Sequence, residues 1–398
     1  MKIIYILNSR MPTERAYGIQ VAKMCEALAK LGAEVVLLFP KRDNSLKGQD
    51  CFSYYGVEKN FEVKQIFSVD LLKYGFLNIF SFWLGTLSFY CGAFLYILFK
   101  MPNFKIVYTR DFYAASILKI LRKKIVLEIH NLPKRINLFY KFFLRANDKI
   151  IAITNGLKEG LIESGVDSNK ILLLPDGVDL DKFNIKVSKE AARDKLGLPQ
   201  NKNLVLYVGN LYKWKGVYTL ALASQFLSAK ETIIFVGGGV DEDLPKLKNF
   251  ITKNNLQNIQ TSGHRPYSEV PYYLKSADVL VLPNSASDKV SELFTSPLKL
   301  FEYMASGKPI VASNLPSLRE VLNDKNAFFF EPDNPKDLAD AIKKILENRN
   351  LNDMISKQAF EDVKNYTWQK RAEKILNFIK YFLGYGAKIV RLLSPERF

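Results

Sequence analysis

The sequence predicts an α/β protein made of two Rossmann-like domains. Three observations lead there. Short, wholly apolar runs of strand length alternate with amphipathic helical stretches, the second half repeats the pattern of the first, and 398 residues are too many for one ordinary core. "KIIYILN" is the first strand. "YGIQVAKMCEALAKLG" has apolar residues at helical spacing and stops at Gly32, and "AEVVLLFP" is the next strand. This is a βαβ unit and implies a parallel sheet. "KIVYTR" (105–110), "KIVLEIH" (124–130) and "DKIIAIT" (148–154) continue it, and "KILLLPDGVD" (170–179) follows the helix "NGLKEGLIESG".

"KFNIKVSKEAARDKLGLPQNKN" is polar and poorly periodic, and reads as a linker and the opening helix of a second domain. Beyond it come the strands "NLVLYVGN", "ETIIFVGGG", "NIQTSG", "ADVLVLPN" and "KPIVAS", separated by helices such as "KGVYTLALASQFL". The expected domains are 1–185, joined by a C-terminal helix at about 372–398, and 186–371. Ligands of such sheets sit beyond the carboxyl ends of the strands, so the cleft between the domains is the expected site.

Hydrophobic residues make up 48% and charged residues 24%, a globular composition. The formal charge of +17 suits an anionic partner, or reflects no more than a lysine-rich chain. No basic-aromatic recognition module is evident, so nucleic acid is not expected. Cys25, Cys51 and Cys91 are too few and too scattered for a disulfide framework or a zinc site. "MKIIYILNSR" reads as a buried strand rather than a leader, with a reducing cytoplasm as the expected compartment.

Tyr74 to Phe99 carries no formal charge over 26 residues. It is long enough to span a bilayer, but Asn78, Ser81, Thr86 and Ser88 interrupt it within a βα series. A helix lying against the first domain or dipping into one leaflet is the preferred reading. "NLPKRINLFYKFFLRA" (131–146) and "KRAEKILNFIKYFLGYGAKIVRLL" (370–393) alternate basic and apolar residues. They suit an anionic membrane surface or domain packing equally.

Three βα junctions carry candidate chemistry. "YVGNLYKWKGVYTLALA" puts Gly209 at a strand end and Lys215-Gly216 at a helix start, either a phosphate site or a glycine turn with a solvated lysine. "IIFVGGGVDEDL" has glycines 237–239, then Asp241, Glu242 and Asp243, which suit the first turn of a helix better than a metal. In "SELFTSPLKLFEYMASGKPIVAS", Pro297 fits a first helical turn and Thr295 or Ser296 its cap, with the backbone of 295–298 facing the cleft. Glu302 lies further in, either clasping a vicinal diol such as a ribose or exposed on the helix surface.

"PLKLFEYMASGKPIVAS", "YVGNLYKWKGV", "LLLPDGVDLDKF", "ADVLVLPN" and "YTWQKRAEKIL" together resemble the family 4 glycosyltransferases of GT-B fold, whose two Rossmann-like domains face each other across a deep cleft. The resemblance implies a retaining transferase that moves a sugar from a nucleotide diphosphate sugar to an acceptor hydroxyl, without a bound metal or other cofactor. It implies that Glu302 binds the donor ribose, that Lys215 meets the diphosphate beside Gly209, Asn210 and Gly216, and that Thr295, Ser296, Pro297 and Leu298 touch the donor through their backbone. Gly18, in the first βα loop, would let the backbone approach the diphosphate. His130 would position the reacting sugar, and His264 and Arg265 would lie near the base. Partners are then a nucleotide sugar, a glycan or lipid-linked acceptor from envelope synthesis, and an anionic membrane surface on the cytoplasmic side.

The chain departs from the family in two places. The first of the family's two glutamates falls on Phe294, with Glu292 as the nearby candidate, and its usual arginine falls on Asn210, with Lys213 as the candidate stand-in. A nucleotide-sugar epimerase and an inactive binding scaffold of the same fold are the rival readings. The scarcity of histidine, His130 and His264 only, weighs against the epimerase.

Overall fold

The computed structural model describes residues 1–44, 46, 48–71, 78–133, 135–238 and 243–382. Expectations placed on 74–77, Lys134, Gly239, Asp241, Glu242 and 383–398 lie outside the described residues. The chain forms two compact units. One comprises Met1–Ile153, Leu157–Leu174 and the helix Trp368–Phe382; the other comprises Thr154–Gly156 and Pro175–Thr367. The boundary expected at 185/186 therefore lies at 174/175. The cause is packing: Val178 and Phe183 belong to the apolar cluster of the second unit, with Leu206, Leu282 and Phe301. The C-terminal helix likewise begins at Trp368, not near 372.

In the first unit the strands are β1 (Lys2–Ile6), β2 (Glu34–Lys41), β3 (Glu62–Phe67), β4 (Ile106–Thr109), β5 (Lys124–Ile129), β6 (Lys149–Ala152) and β7 (Ile171–Leu173). They form one sheet in the order β3-β2-β1-β4-β5-β6-β7. The pairings are parallel, with Ile4 opposite Val36 on one side and Val107 on the other. The second unit has β8 (Asn203–Val208), β9 (Glu231–Val236), β10 (Ile259–Gly263), β11 (Val279–Leu282), β12 (Ile310–Ser313) and β13 (Phe328–Phe330), in the order β10-β9-β8-β11-β12-β13. Here Val205 sits opposite Ile233 and Val279. Both are Rossmann-like sheets, and in each the strand order reverses beside the first strand, between β1 and β4 or between β8 and β11.

Strands covered on both faces read as continuous apolar runs, which is why β1, β2, β4 and β8 are almost wholly buried. Two strands, β3 and β13, were not expected from the pattern. Both are edge strands. β3 is half-exposed and mixed in character, and β13 has three residues, so neither carries the apolar signal.

The helices follow the expected stops. Ala16–Lys30 ends before Gly32, whose φ of 82° few side chains tolerate. The polar stretch after Phe183 is an ordered helix, Lys189–Leu196, capped by Ser188 and closed by Gly197. Its buried Arg193 binds Asp278 and the carbonyls of Ser276 and Lys202, tying it to the start of β11.

Candidate active site

In the second unit the candidate residues gather at the carboxyl ends of β8 and β11. Gly209 follows β8 with φ 134°, its amide donating to the Val236 carbonyl at 2.9 Å. Gly216 has φ 71°, and a β-carbon there would lie 1.6 Å from the Pro283 carbonyl oxygen, so only glycine lets this turn close over the end of β11. Asn284, next along, is buried, and neither its side-chain oxygen nor its nitrogen has a hydrogen-bond partner among the described residues.

The helix Leu298–Ala305 supplies the rest. Its Leu300, Phe301, Tyr303 and Met304 enter the core. The Tyr303 hydroxyl accepts from the Val208 amide at 2.7 Å, which pins the helix to the end of β8. Lys299 and Glu302, three residues apart, are fixed by that anchor. Glu302 is only 7% exposed, so it is not a helix-surface glutamate; its Oε1 accepts from the Tyr267 hydroxyl at 2.8 Å. Burial pushes its carboxyl up to about 7, against the opposing influence of Tyr267, Lys182 and Lys299. Lys182 lies over the Tyr267 ring at 3.9 Å.

Two lysines belong to the same end of the sheet. Lys215 approaches the rings of Trp214 and Tyr212 at 5.2 and 5.4 Å, and burial lowers its ammonium to about 8. Lys299 is 6% exposed, its Nζ sits 3.7 Å from the Tyr207 ring centroid, and no hydrogen-bond partner meets it among the described residues. Burial, then the charge of Lys215, hold it well below the ordinary lysine range. A β-carbon on Gly209 would lie 3.7 Å from Lys299 Cδ, so this lysine runs alongside the strand-end glycine. Lys213, the expected stand-in for a missing arginine, is exposed. Lys299 does not stand out in the sequence, because a lysine within an amphipathic helix reads as solvated; its spacing of three before Glu302 is the available signal. Buried polar groups without partners are rare in folded proteins.

The segment before this helix differs from expectation. Val290–Phe294 forms a π-helical turn and Pro297 itself is the N-cap, so neither Thr295 nor Ser296 caps the helix. The Ser296 hydroxyl instead accepts from the Asp176 amide at 3.1 Å. Thr295, Ser296, Pro297 and Leu298 are half-buried, as are Glu292 and Phe294. His264 and Arg265 are exposed after the edge strand β10; Tyr267 is the residue of that loop that reaches Glu302.

The first unit contains a second cluster. Glu128 on β5 is fully buried and accepts from Gln20 at 2.7 Å, from the Tyr108 hydroxyl, and from His130 Nε2 at 2.5 Å; Arg371 of the C-terminal helix lies 3.1 Å away. Burial alone would raise this carboxyl, but Arg371 and His130 overcome that and hold it well below the usual carboxylate range. His130 is thus oriented by a carboxylate at the end of β5. Gly18 lies within the helix Ala16–Lys30 and not in the loop before it. A β-carbon there would lie 2.2 Å from the Tyr55 hydroxyl, so packing against Tyr55 accounts for the glycine.

Residues 18–182 match the family Glycosyltransferase Family 4, and residues 188–362 match Glycosyl transferases group 1. The chain belongs to the family 4 (group 1) glycosyltransferases. It is 29% identical over 239 residues to an uncharacterized glycosyltransferase of Methanocaldococcus jannaschii, an alignment covering 59% of this chain and 58% of that one. The chain thus spans about three fifths of the length of that relative. It is 28% identical over 304 residues to the UDP-Gal:alpha-D-GlcNAc-diphosphoundecaprenol alpha-1,3-galactosyltransferase of Escherichia coli, covering 71% of this chain and 76% of that one. In fold, this glycosyltransferase chain is similar to Anabaena HepE in complex with UDP-glucose, with a TM-score of 0.73, 18% identity, and coverage of 96% and 100%.

Proposed function

We propose that the chain transfers a sugar from a nucleotide diphosphate sugar to the hydroxyl of a glycan or lipid-linked acceptor, with retention at the anomeric carbon, on the cytoplasmic side of a membrane. The observation that carries this reading is the pair of lysines beside the end of β8, Lys215 half-buried and Lys299 buried, neither with an ion-pair partner among the described residues. A pyrophosphate supplies the charge they lack, and two ammonium groups do the work for which Asn210 is unsuited. Gly209, Asn210, Gly216 and the backbone of 295–298 line the diphosphate and sugar. Glu302 accepts both ribose hydroxyls, His130 orients the sugar, and His264 and Arg265 lie towards the base. The UDP-glucose of HepE and the UDP-galactose and diphosphoundecaprenol in the name of the E. coli relative support the donor and acceptor classes.

In the reaction the bond from the anomeric carbon to the phosphate oxygen breaks, and its electron pair leaves with the nucleoside diphosphate. The acceptor hydroxyl bonds to the same face of the sugar and its proton passes to the departing phosphate oxygen. The lysines offset the developing charge, so no metal is required, and EDTA is expected to leave the rate unchanged.

The test is a panel of UDP-, GDP- and ADP-sugars, scored by protection from thermal unfolding and then by nucleoside diphosphate release with and without a polyprenyl-diphosphate sugar acceptor. Acceptor-dependent release, with the anomeric configuration kept by NMR, is expected. Interconversion of the sugar without an acceptor would make the chain an epimerase, and binding without turnover would make it a scaffold.

A further inference from the structure

The helix Asn78–Lys100 is amphipathic the wrong way round for water. Ser81, Thr86, Ser88 and Tyr90 turn inward. Ser81 and Thr86 are buried, the Ser88 hydroxyl accepts from the Val69 amide at 2.9 Å, and Asn8 donates to Thr86 and to the Tyr90 hydroxyl at 3.4 and 3.2 Å. Its outward face is apolar: Ile79 is 77% exposed and Phe99 72%, with Phe80, Phe82, Trp83, Leu87, Leu95 and Leu98 between them also exposed. The helix is also seated closely. A β-carbon on Gly85 would lie 2.6 Å from the Val69 carbonyl, and the Ser68 hydroxyl donates to the Gly85 carbonyl at 2.9 Å. Crossing a bilayer would break these bonds in exchange for nothing that could replace them.

The apolar face does not end with this helix. Trp83 meets Tyr113 edge-on at 5.3 Å, Phe112 stacks on Tyr140 at 4.0 Å, and Phe139 packs on Phe143 at 4.5 Å in the helix Leu138–Ala146, which exposes Leu138 (85%) and Phe142 (67%). The charge excess is concentrated here too. Residues 71–147 contain 12 Lys or Arg against two acids, Asp111 and Glu128. Glu128 is buried and paired, and Asp111 caps Tyr113 and Ala114. A water-facing apolar surface on helices that carry Lys100, Lys141 and Arg145 and no acid fits neither solvent nor a neutral partner, but it fits lipid acyl chains beneath anionic head groups.

We propose that this face, from Ile79 to Phe99 and on to Leu138 and Phe142, seats on an anionic phospholipid bilayer, with the helix lying in the interface plane and not across it. The experiment uses the full chain and vesicles of phosphatidylcholine with or without phosphatidylglycerol. Sedimentation is expected to show roughly tenfold tighter binding to the anionic vesicles, and lipids brominated near the head of the acyl chain are expected to quench Trp83, a quenching that Trp83→Phe loses. The variant Phe80→Ser/Phe99→Ser/Phe142→Ser is expected to bind anionic vesicles at least tenfold more weakly than the unaltered chain while retaining its thermal shift with nucleotide sugar. Equal binding to both vesicle types, no quenching, or an unchanged triple variant overturns the proposal. So does a concentration-dependent dimer that the triple variant abolishes, because a second copy would then cover the face.

Discussion

Glu302 costs the fold free energy, and that cost is measurable. Its folded pKa of about 7 lies above the ordinary 4.5, so between those values the native state binds the extra proton. Stability therefore falls as pH rises through that window and stays reduced above it. Glu302→Gln removes the charge and keeps an oxygen for Tyr267. It is expected to gain about 3 kcal/mol at pH ~8 and nothing at pH ~4, by denaturant titration. On the proposed function, donor affinity is expected to fall by roughly tenfold or more, because one amide oxygen would replace a carboxylate able to accept from two ribose hydroxyls. A variant less stable at the higher pH, with donor affinity intact, would return Glu302 to a purely structural role. The same ionisations set a pH profile. Donor capture needs Glu302 ionised, above about 7, and Lys215 protonated, below about 8. The expected kcat/KM is a narrow bell whose acid limb lies near 7 and whose alkaline limb, set by Lys215 and the strongly lowered Lys299, lies no higher than about 8, with the acid limb lost in Glu302→Gln.

The helix Leu298–Ala305 carries its charges on a scaffold of core contacts, so its lysine can be altered without losing its seat. Lys299→Met keeps the length of the stem and removes a buried amine that has no hydrogen-bond partner among the described residues. The expected result is unchanged or higher stability with roughly 10- to 100-fold weaker affinity for nucleoside diphosphate, while the exposed Lys213→Met binds normally. Calorimetry with UDP, GDP and ADP reads both. The helix Trp368–Phe382 behaves in the opposite way, because its Arg371 is paired. Arg371→Met leaves Glu128 buried without its main counter-ion and is expected to cost about 3–5 kcal/mol, much of it recovered by adding Glu128→Gln.

These two helices also mark what the sequence made legible. The interior parallel strands announce themselves, because burial on both faces demands unbroken apolar runs. The edge strands β3 and β13 do not, having a face or a rim in water. Glu302 stands out as a lone carboxylate among Leu300, Phe301 and Met304, whereas Lys299 blends into the expected polar side of a helix. Glu128 hides inside "KIVLEIH", since its partners Gln20, Tyr108 and Arg371 are brought to it only by the fold. Thr295 and Ser296 looked like caps because the local pattern is a cap pattern, but the π turn at Val290–Phe294 takes up the chain first.

Across the whole molecule the charge of +17 divides unevenly, and the division predicts two kinds of salt response. Outside residues 71–147 the chain has 45 bases against 38 acids, so most of the imbalance belongs to the segment with the apolar face. Those bases act on a lipid surface through water, where the screening length shrinks from roughly 14 to 4 Å between ~0.05 and ~0.5 M salt. Lys215 and Lys299 act at contact distance from within the protein, where mobile ions enter poorly. Raising salt over that range is expected to release the chain from anionic vesicles by a factor of ten or more, while affinity for UDP-sugar changes by only a fewfold. Parallel sedimentation and calorimetry at several salt concentrations check this. Equal slopes for the two ligands would mean that the diphosphate is held by exposed charge, and the lysine pair would lose its role.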